Sequence, residues 1–86
     1  GVAKKDPASA VPLIEKELEK DPFNDGLNDL LHDCFLKMEL FDSAAFALET
    51  VRKGHPDNTK SMHKLATYYL ERGRADLAGD VYNDIL

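Results

Sequence analysis

The sequence lacks the residues that mark disulfide-bonded, secreted or membrane-spanning proteins. Its single cysteine cannot form an internal disulfide, and we therefore expect a reducing, cytoplasmic setting. Its apolar runs are only a few residues long, too short to span a bilayer. No basic segment followed by an apolar stretch opens the chain, so no signal peptide is apparent. The first residue is Gly rather than Met, which suggests an excised or a processed piece, so the absence of a signal is a statement about these residues alone.

Basic residues are also in deficit. Eleven Lys and Arg stand against sixteen Asp and Glu, which gives a formal net charge of −5. This balance argues against a nucleic-acid backbone as the main partner. The 86 residues, 43% hydrophobic and 31% charged, are typical of one globular domain or a short stack of repeats.

Motifs for catalysis are absent as well. The sequence has no Gly-rich phosphate loop, no Cys-x-x-Cys, no His-Glu-x-x-His and no Gly-x-Ser-x-Gly. His32 and Cys34 are two residues apart on a predicted helix, so they face different directions and cannot share a ligand. Cys34 is most simply a small, partly buried apolar residue. We therefore expect no enzymatic activity, no cofactor and no metal.

What the sequence does contain is an internal repeat. Shifting the chain against itself by 34 residues superimposes apolar, small and proline positions in one register. A second shift places Ala10 on Ala44 and Ile14 on Leu48. The pairs aligned by the first shift are Pro22 with Pro56, Asn24 with Asn58, Leu31 with Leu65, Phe35 with Tyr69, Leu36 with Leu70, Asp42 with Asp76, Ala44 with Ala78, Leu48 with Tyr82 and Val51 with Ile85.

Each unit has the pattern of two amphipathic helices joined by a short turn. Asn24, Asp42 and Asn58 stand where side chains cap helix starts, and Gly73 ends a helix. For the first helix we expect a start near Ser9, which places Pro12 in the first turn, where its missing N–H costs nothing. No segment alternates like a half-buried strand, so the predicted class is all-α with antiparallel helix pairs.

A 34-residue helix–turn–helix unit that ends in proline resembles the tetratricopeptide repeat. The departures are His32, Glu17, Val51 and Ile85 at positions where the family has small residues, and the absence of an early Trp. We expect the neighbours of His32 to accommodate it, and Glu17 to face solvent. The positions that match the family pattern are Asn28, Leu31, Phe35, Ala44, Leu48 and Pro56 in one unit, Met62, Leu65, Ala66, Tyr69, Ala78 and Tyr82 in the next, and Ala10, Ile14 and Pro22 in the leading half-unit.

The resemblance implies antiparallel helix pairs stacked into a right-handed superhelix. Residues 1–22 would be the second helix of a partial repeat, residues 25–58 one repeat, and residues 59–86 a repeat that lacks its end. It further implies a non-catalytic module that binds a protein, as a peptide or helix, on its concave face, without nucleic acid and without membrane insertion. The residues expected to line that face are Asp29, Asp33, Leu36, Lys37, Lys60, His63, Lys64, Thr67 and Glu71.

Alternatives to this interpretation remain open. In one alternative, the chain is a structural segment. Its exposed repeat ends would then assemble with further repeats, or with copies of itself as a homo-oligomer. On the same face, Asp29, Asp33 and His63 are conceivable metal ligands, although a solvated surface is the simpler interpretation. Lys60 and Lys64 resemble two cations of the clamp with which some family members bind C-terminal carboxylates.

The charge of this face also differs between its two units. Asp29 and Asp33 lie on the first unit, whereas Lys60 and Lys64 lie on the second. The pattern therefore predicts a partner segment with basic residues at one end and acidic residues at the other. Of the two adjacent tyrosines, Tyr69 is expected in the core and Tyr68 pointing away from it.

Overall fold

The computed structural model describes residues 6–85 and shows an all-α protein. Within that range the chain forms five helices and no strand, so the predicted all-α class is confirmed. Residues 1–5 and Leu86, which belong to the first and last predicted segments, lie outside the described residues. The helices are α1 (Pro7–Leu18), α2 (Asp25–Lys37), α3 (Phe41–Gly54), α4 (Thr59–Glu71) and α5 (Ala75–Ile85).

The helix starts follow the 34-residue offset. α1, α3 and α5 begin at Pro7, Phe41 and Ala75, and α2 and α4 begin at Asp25 and Thr59. Each helix packs mainly on its neighbours in sequence, most extensively within the pairs α2–α3 and α4–α5. The result is a row of helices that measures 42 × 28 × 17 Å. Residues 34 positions apart are called equivalent below.

The predicted helix starts at Asn24 and Asn58 are confirmed. The side-chain oxygen of Asn24 accepts a hydrogen bond from the backbone N–H of Leu27 at 2.8 Å, and that of Asn58 accepts one from Ser61 at 3.0 Å. Gly73 has a φ of 75°, which an L side chain rarely adopts, and it follows the end of α4. Capping and chain reversal at these positions are therefore local properties of the sequence.

The expected start of α1 near Ser9 is wrong. Asp6 caps the helix instead, since its carboxylate accepts from the N–H of Ala8 at 3.1 Å and Pro7 takes the first helical position. Pro12 then lies inside α1 rather than in its first turn. Both Pro12 and Ala8, whose carbonyl loses its helical donor, are exposed, so water can satisfy that carbonyl.

The expected cap at Asp42 is also wrong. The cap position lies two residues earlier, at Leu40, which forms no side-chain cap hydrogen bond, and α3 begins at Phe41. Asp42 lies in the first turn, where a carboxylate still interacts favourably with the N-terminal end of the helix dipole.

Two apolar clusters hold the helices together. The larger joins α3, α4 and α5 around Leu48, Val51, Met62, Leu65 and Val81. The smaller joins α1, α2 and α3 through Ile14, Leu31, Cys34 and Ala47. Ala44 and Ala78, the small residues of the repeat pattern, are 0% and 1% exposed, which is expected where paired helices approach closely.

Tyr68 does not point away from the core, contrary to the sequence prediction. Both tyrosines are buried, and the Tyr68 hydroxyl donates to the backbone oxygen of Phe41 at 2.7 Å. That carbonyl lies in the first turn of α3 and gives the buried hydroxyl the partner it needs. Burial raises the pKa of Tyr68, and the positive charge of Arg72 opposes this shift.

His32 is accommodated by its neighbours, as expected. Its side chain is 1% exposed, and its Nδ1–H donates to the backbone oxygen of Ala44 at 2.8 Å, which defines the tautomer. The ring also meets the ring of Tyr68 edge to face at a centroid distance of 5.3 Å. Burial lowers the pKa of His32 and exceeds the opposing effect of the Ala44 hydrogen bond.

Candidate partner-binding surface

Two helices, α2 and α4, carry most of the residues predicted to bind a partner. Their facing side chains form a surface that we call the α2–α4 wall, defined by Asp29, Asp33, Leu36, Lys60, His63, Lys64, Thr67 and Glu71.

Lys64 is the central residue of the wall. Its ammonium group lies 2.6 Å from Asp29 Oδ1 and 2.9 Å from Asp33 Oδ1, so one cation on α4 bridges two carboxylates on α2. Burial alone would lower the pKa of Lys64, but the hydrogen bonds to Asp29 and Asp33 together raise it. The bridge is charged and links the two helices at a partly exposed site.

A second polar link joins the starts of the same helices. The Asn58 amide donates to Asp25 Oδ2 at 2.8 Å, while its oxygen caps α4. Asp25, Asp29, Asp33 and the amide of Asn58 thus bind groups within the protein before any partner arrives. Lys64 is in consequence not a free cation for the carboxylate of a partner, which removes one of the two cations proposed for a carboxylate clamp.

Two depressions of about 290 Å³ each lie on this wall. Asp25, Asp29, Asn58, Lys60 and Lys64 contribute to the first, which is polar. The second is lined by Leu36, His63, Thr67 and Glu71, together with the buried His32 and Tyr68 and with Lys64. Lys64 contributes to both and separates them. Together the depressions offer polar groups on one side and a partly apolar recess on the other.

The structure brings together most of the predicted binding residues. Seven of the nine line one or other depression, and Asp33 joins them through Lys64. Lys37 is exposed and lines neither depression. Among the described residues, no three acidic, histidine or cysteine side chains converge as metal ligands would, so Asp29, Asp33 and His63 do not form such a cluster.

The predicted charge gradient along this wall is weaker in the structure than in the sequence. Asp29 and Asp33 are paired with Lys64, whereas Lys60 and His63 are exposed and line the depressions. The exposed groups that a partner would contact are consequently the side chains of Lys60 and His63 and the carboxylate of Glu71.

Apolar side chains are exposed on the free side of the first two helices. Leu13 of α1 is 69% exposed, whereas the equivalent residues Ala47 and Val81 are 1% and 0% exposed. Leu30 of α2 is half exposed, and its equivalent is Lys64, which binds the preceding unit. In the later units these positions face a neighbouring helix, so in the first unit they form a surface suited to cover by another helix pair.

Sequence reasoning missed a third feature, a groove of about 1010 Å³ beside α3. We call it the α3 groove. It is lined by α1 through Glu15 and Leu18, by the α1–α2 loop through Phe23, and by α3 through Phe46 and Thr50. Phe46 is 72% exposed, which is the highest exposure among the large apolar side chains described. The sequence did contain a sign of this groove. The residues equivalent to Phe23 and Phe46 in the next unit are the aspartates Asp57 and Asp80, which are typical of exposed positions.

A polar network lies at the side of the α3 groove that faces α5. Arg52 binds Asp84 at 2.6 Å and Glu49 at 3.3 Å, and it donates to the backbone oxygen of Asp80 at 3.2 Å. The Tyr69 hydroxyl donates to the other oxygen of Glu49 at 2.5 Å. Burial and this hydrogen bond raise the pKa of Tyr69 well above its usual range.

Comparison with known proteins leaves the chain without an assigned family, because no family model and no curated protein matches it. Within residues 6–85, no helix combines the length and the apolar character that crossing a bilayer requires.

Proposed function

We propose that this chain is a tetratricopeptide-like interaction module that binds a segment of a partner protein on the α2–α4 wall. The observation that carries the proposal is the Lys64 bridge, which holds two helices of successive units side by side and leaves Lys60, His63 and Thr67 exposed beside it. The 34-residue offset of the helix starts supports a superhelical stack in which this wall is the concave side.

The proposed mechanism is complementarity to a surface that exists before binding. The side chains of the wall are positioned by rigid helices and by internal ion pairs, so little ordering entropy opposes the docking of a peptide or helix. Exposed charges such as Lys60 mainly set the orientation and the association rate of the partner, and salt weakens their effect.

The test compares a wall variant with a matched variant elsewhere. Lys60→Glu combined with Thr67→Arg alters two exposed wall residues without touching the Lys64 bridge. Lys16→Glu on α1 makes the same charge change as Lys60→Glu at an exposed site that lines none of the described depressions. Each purified chain is used to capture partners from an extract of the native cell.

We expect the wall variant to lose at least about tenfold in partner retained, because central contacts dominate such interfaces. Lys16→Glu is expected to retain wild-type levels, and circular dichroism checks that both variants remain helical. Equal retention by the two variants would remove the binding site from the α2–α4 wall.

A second candidate function is structural, namely stacking on further repeats or on a second copy. The observation that favours it is the exposure of Leu13 and Leu30 at positions that are covered in the later units. Sedimentation velocity over a range of concentrations distinguishes the two. A strict monomer that still captures its partner supports the binding module, whereas association that Leu13→Asp abolishes supports stacking.

A further inference from the structure

The α3 groove can be compared with its own equivalent one unit further along the chain. The residues at the α3–α5 interface that correspond to Glu15, Leu18 and Thr50 are Glu49, Arg52 and Asp84. At that interface the arginine lies between the two carboxylates and binds both. The polar groups on the α5 side are therefore already paired.

The α1 side of the groove keeps the glutamate and lacks its partners. Leu18 stands in the place of Arg52, and Thr50 stands in the place of Asp84 and donates to the backbone oxygen of Phe46 instead. Phe35 replaces Tyr69, so no hydroxyl approaches Glu15 in the way that Tyr69 approaches Glu49. Among residues 6–85, Glu15 forms no ion pair and no side-chain hydrogen bond to another residue.

Exposed phenylalanines lie beside this unpaired carboxylate, and flanking repeats would not account for them. The residues equivalent to Phe46 are Pro12 and Asp80, and both are exposed. The residue equivalent to Phe23 is Asp57, also exposed. Unlike the position of Leu13, these positions face outward in every unit, including units that have a neighbour. Phe23 packs one side of its ring on α3, whereas Phe46, at 72% exposure, has little role in stacking the repeat.

The aromatic wall of the groove is held in place. The amide of the buried Asn28 donates to the backbone oxygen of Pro22 at 3.1 Å and so fixes the loop that carries Phe23. The ring of Phe23 rests directly on Gly54, where an added Cβ would come within 2.6 Å of it. The groove is therefore largely formed in advance, with apolar surface and two exposed carboxylates, those of Glu15 and Asp42, that have no ion-pair partner within residues 6–85.

We propose that the α1 side of the α3 groove binds an arginine-bearing apolar segment of a partner protein. The guanidinium of that segment pairs with Glu15, as Arg52 pairs with Glu49 in the next unit. Its apolar side chains pack against Leu18 and Phe46. Within residues 6–85 the groove-lining groups without an ion pair are Glu15 and Asp42, which are acidic, and Lys53, which is basic. Their balance is acidic and favours a basic rather than an acidic segment.

This site is separate from the α2–α4 wall, with which it shares no lining residue. The proposal therefore does not rest on the proposed function, and either can fail without the other.

The probe is a synthetic amphipathic helical peptide of alanine, leucine and glutamine that carries a single arginine beside its leucine stripe. A matched peptide carries citrulline, which has the same shape without the charge. Each is titrated into the ¹⁵N-labelled chain, and amide chemical shifts are followed. We expect saturable shifts at Leu18, Phe46 and Thr50, and an affinity about fivefold weaker for the citrulline peptide, as for the loss of one exposed ion pair.

Two sets of variants test the mechanism. Leu18→Arg combined with Thr50→Asp rebuilds the Arg52–Asp84 pair inside the groove, so the chain's own arginine occupies Glu15 and binding of the arginine peptide should fall at least about tenfold. Phe46→Asp introduces the residue of the next unit and should weaken both peptides. Leu70→Asp is the matched control, because it removes a half-exposed apolar side chain and adds the same charge away from the groove.

Several results would overturn the proposal. Equal affinity for the arginine and citrulline peptides would remove the role of Glu15. Shifts confined to Lys60, His63 and Thr67 would place the peptide on the α2–α4 wall. Equal losses in Leu70→Asp and Phe46→Asp would remove the apolar contact at Phe46, and equal gains in affinity would indicate binding by net charge. Shifts at the groove that appear on concentrating the chain alone would identify a second copy as its occupant.

Discussion

Protonation of His32 should destabilise the fold between about pH 7 and pH 5.5. The folded chain buries the neutral ring against Ala44 and Tyr68, and burial lowers its pKa, whereas the unfolded chain binds a proton near the usual value of about 6.5. Below that value the unfolded state holds more protons than the folded state, so the free energy of unfolding falls as the pH falls.

The size of the effect has an upper limit. If the folded state binds no proton at His32 over this range, the loss from pH 7 to pH 5.5 is at most about 1.3 kcal/mol. Asp29 and Asp33 favour the protonated ring and Lys64 opposes it, but burial is the largest influence. A chain of this length has a total stability of about 4 to 13 kcal/mol, so the loss is readily measured.

Urea unfolding at several pH values, followed by circular dichroism, measures this dependence. For a slope of about 1 kcal/mol per molar urea, the midpoint should fall by up to about 1.3 M over the range. His32→Gln keeps an N–H donor but cannot titrate, and it should flatten the dependence. His63→Gln, at an exposed site, should leave it unchanged. If His32→Gln retains the full wild-type slope, buried His32 is not the group responsible.

Four further substitutions test the packing. Ala78→Arg places a charge where two helices touch, and it should cost several kcal/mol, on the order of the total stability; an unchanged melting temperature would contradict the helix register. Gly54→Ala brings a Cβ within 2.6 Å of Phe23 and should lower the free energy of unfolding by about 1–3 kcal/mol. Gly79→Ala meets nothing within 4 Å and should raise it by up to about 1 kcal/mol, so similar urea midpoints for both glycine variants would refute the contact. Leu13→Asp should reduce any concentration-dependent association seen by sedimentation, and persistence of that association would place the contact elsewhere.

What the sequence predicted well is local along the chain. The caps at Asn24 and Asn58 depend on residues within one helical turn, and both are present in the structure. The error at Ser9 arose because a second capping residue, Asp6, stood nearby. At Asp42 no competing cap was involved, since α3 begins after Leu40 without a side-chain cap.

What could not be predicted depends on distant partners. The buried position of Tyr68 requires the carbonyl of Phe41, 27 residues earlier, and no local pattern indicates that pairing. The wall residues were identified from the repeat, but the pairing of Lys64 with both aspartates follows only from the distance between two helices. The exposed Phe46 was visible as a departure between units, yet its exposure required the structure.

The charged and hydroxyl cross-links of this protein are concentrated at one boundary. Lys64, Arg52, Tyr68 and Tyr69 all join residues before Gly54 to residues after it. Lys64 links α4 to α2, Arg52 links α3 to α5, and the two tyrosines link α4 to α3. The larger apolar cluster crosses the same boundary. Ionic strength screens the charged links and leaves the apolar cluster intact, so added salt should weaken the coupling of α4–α5 to the remainder without separating them.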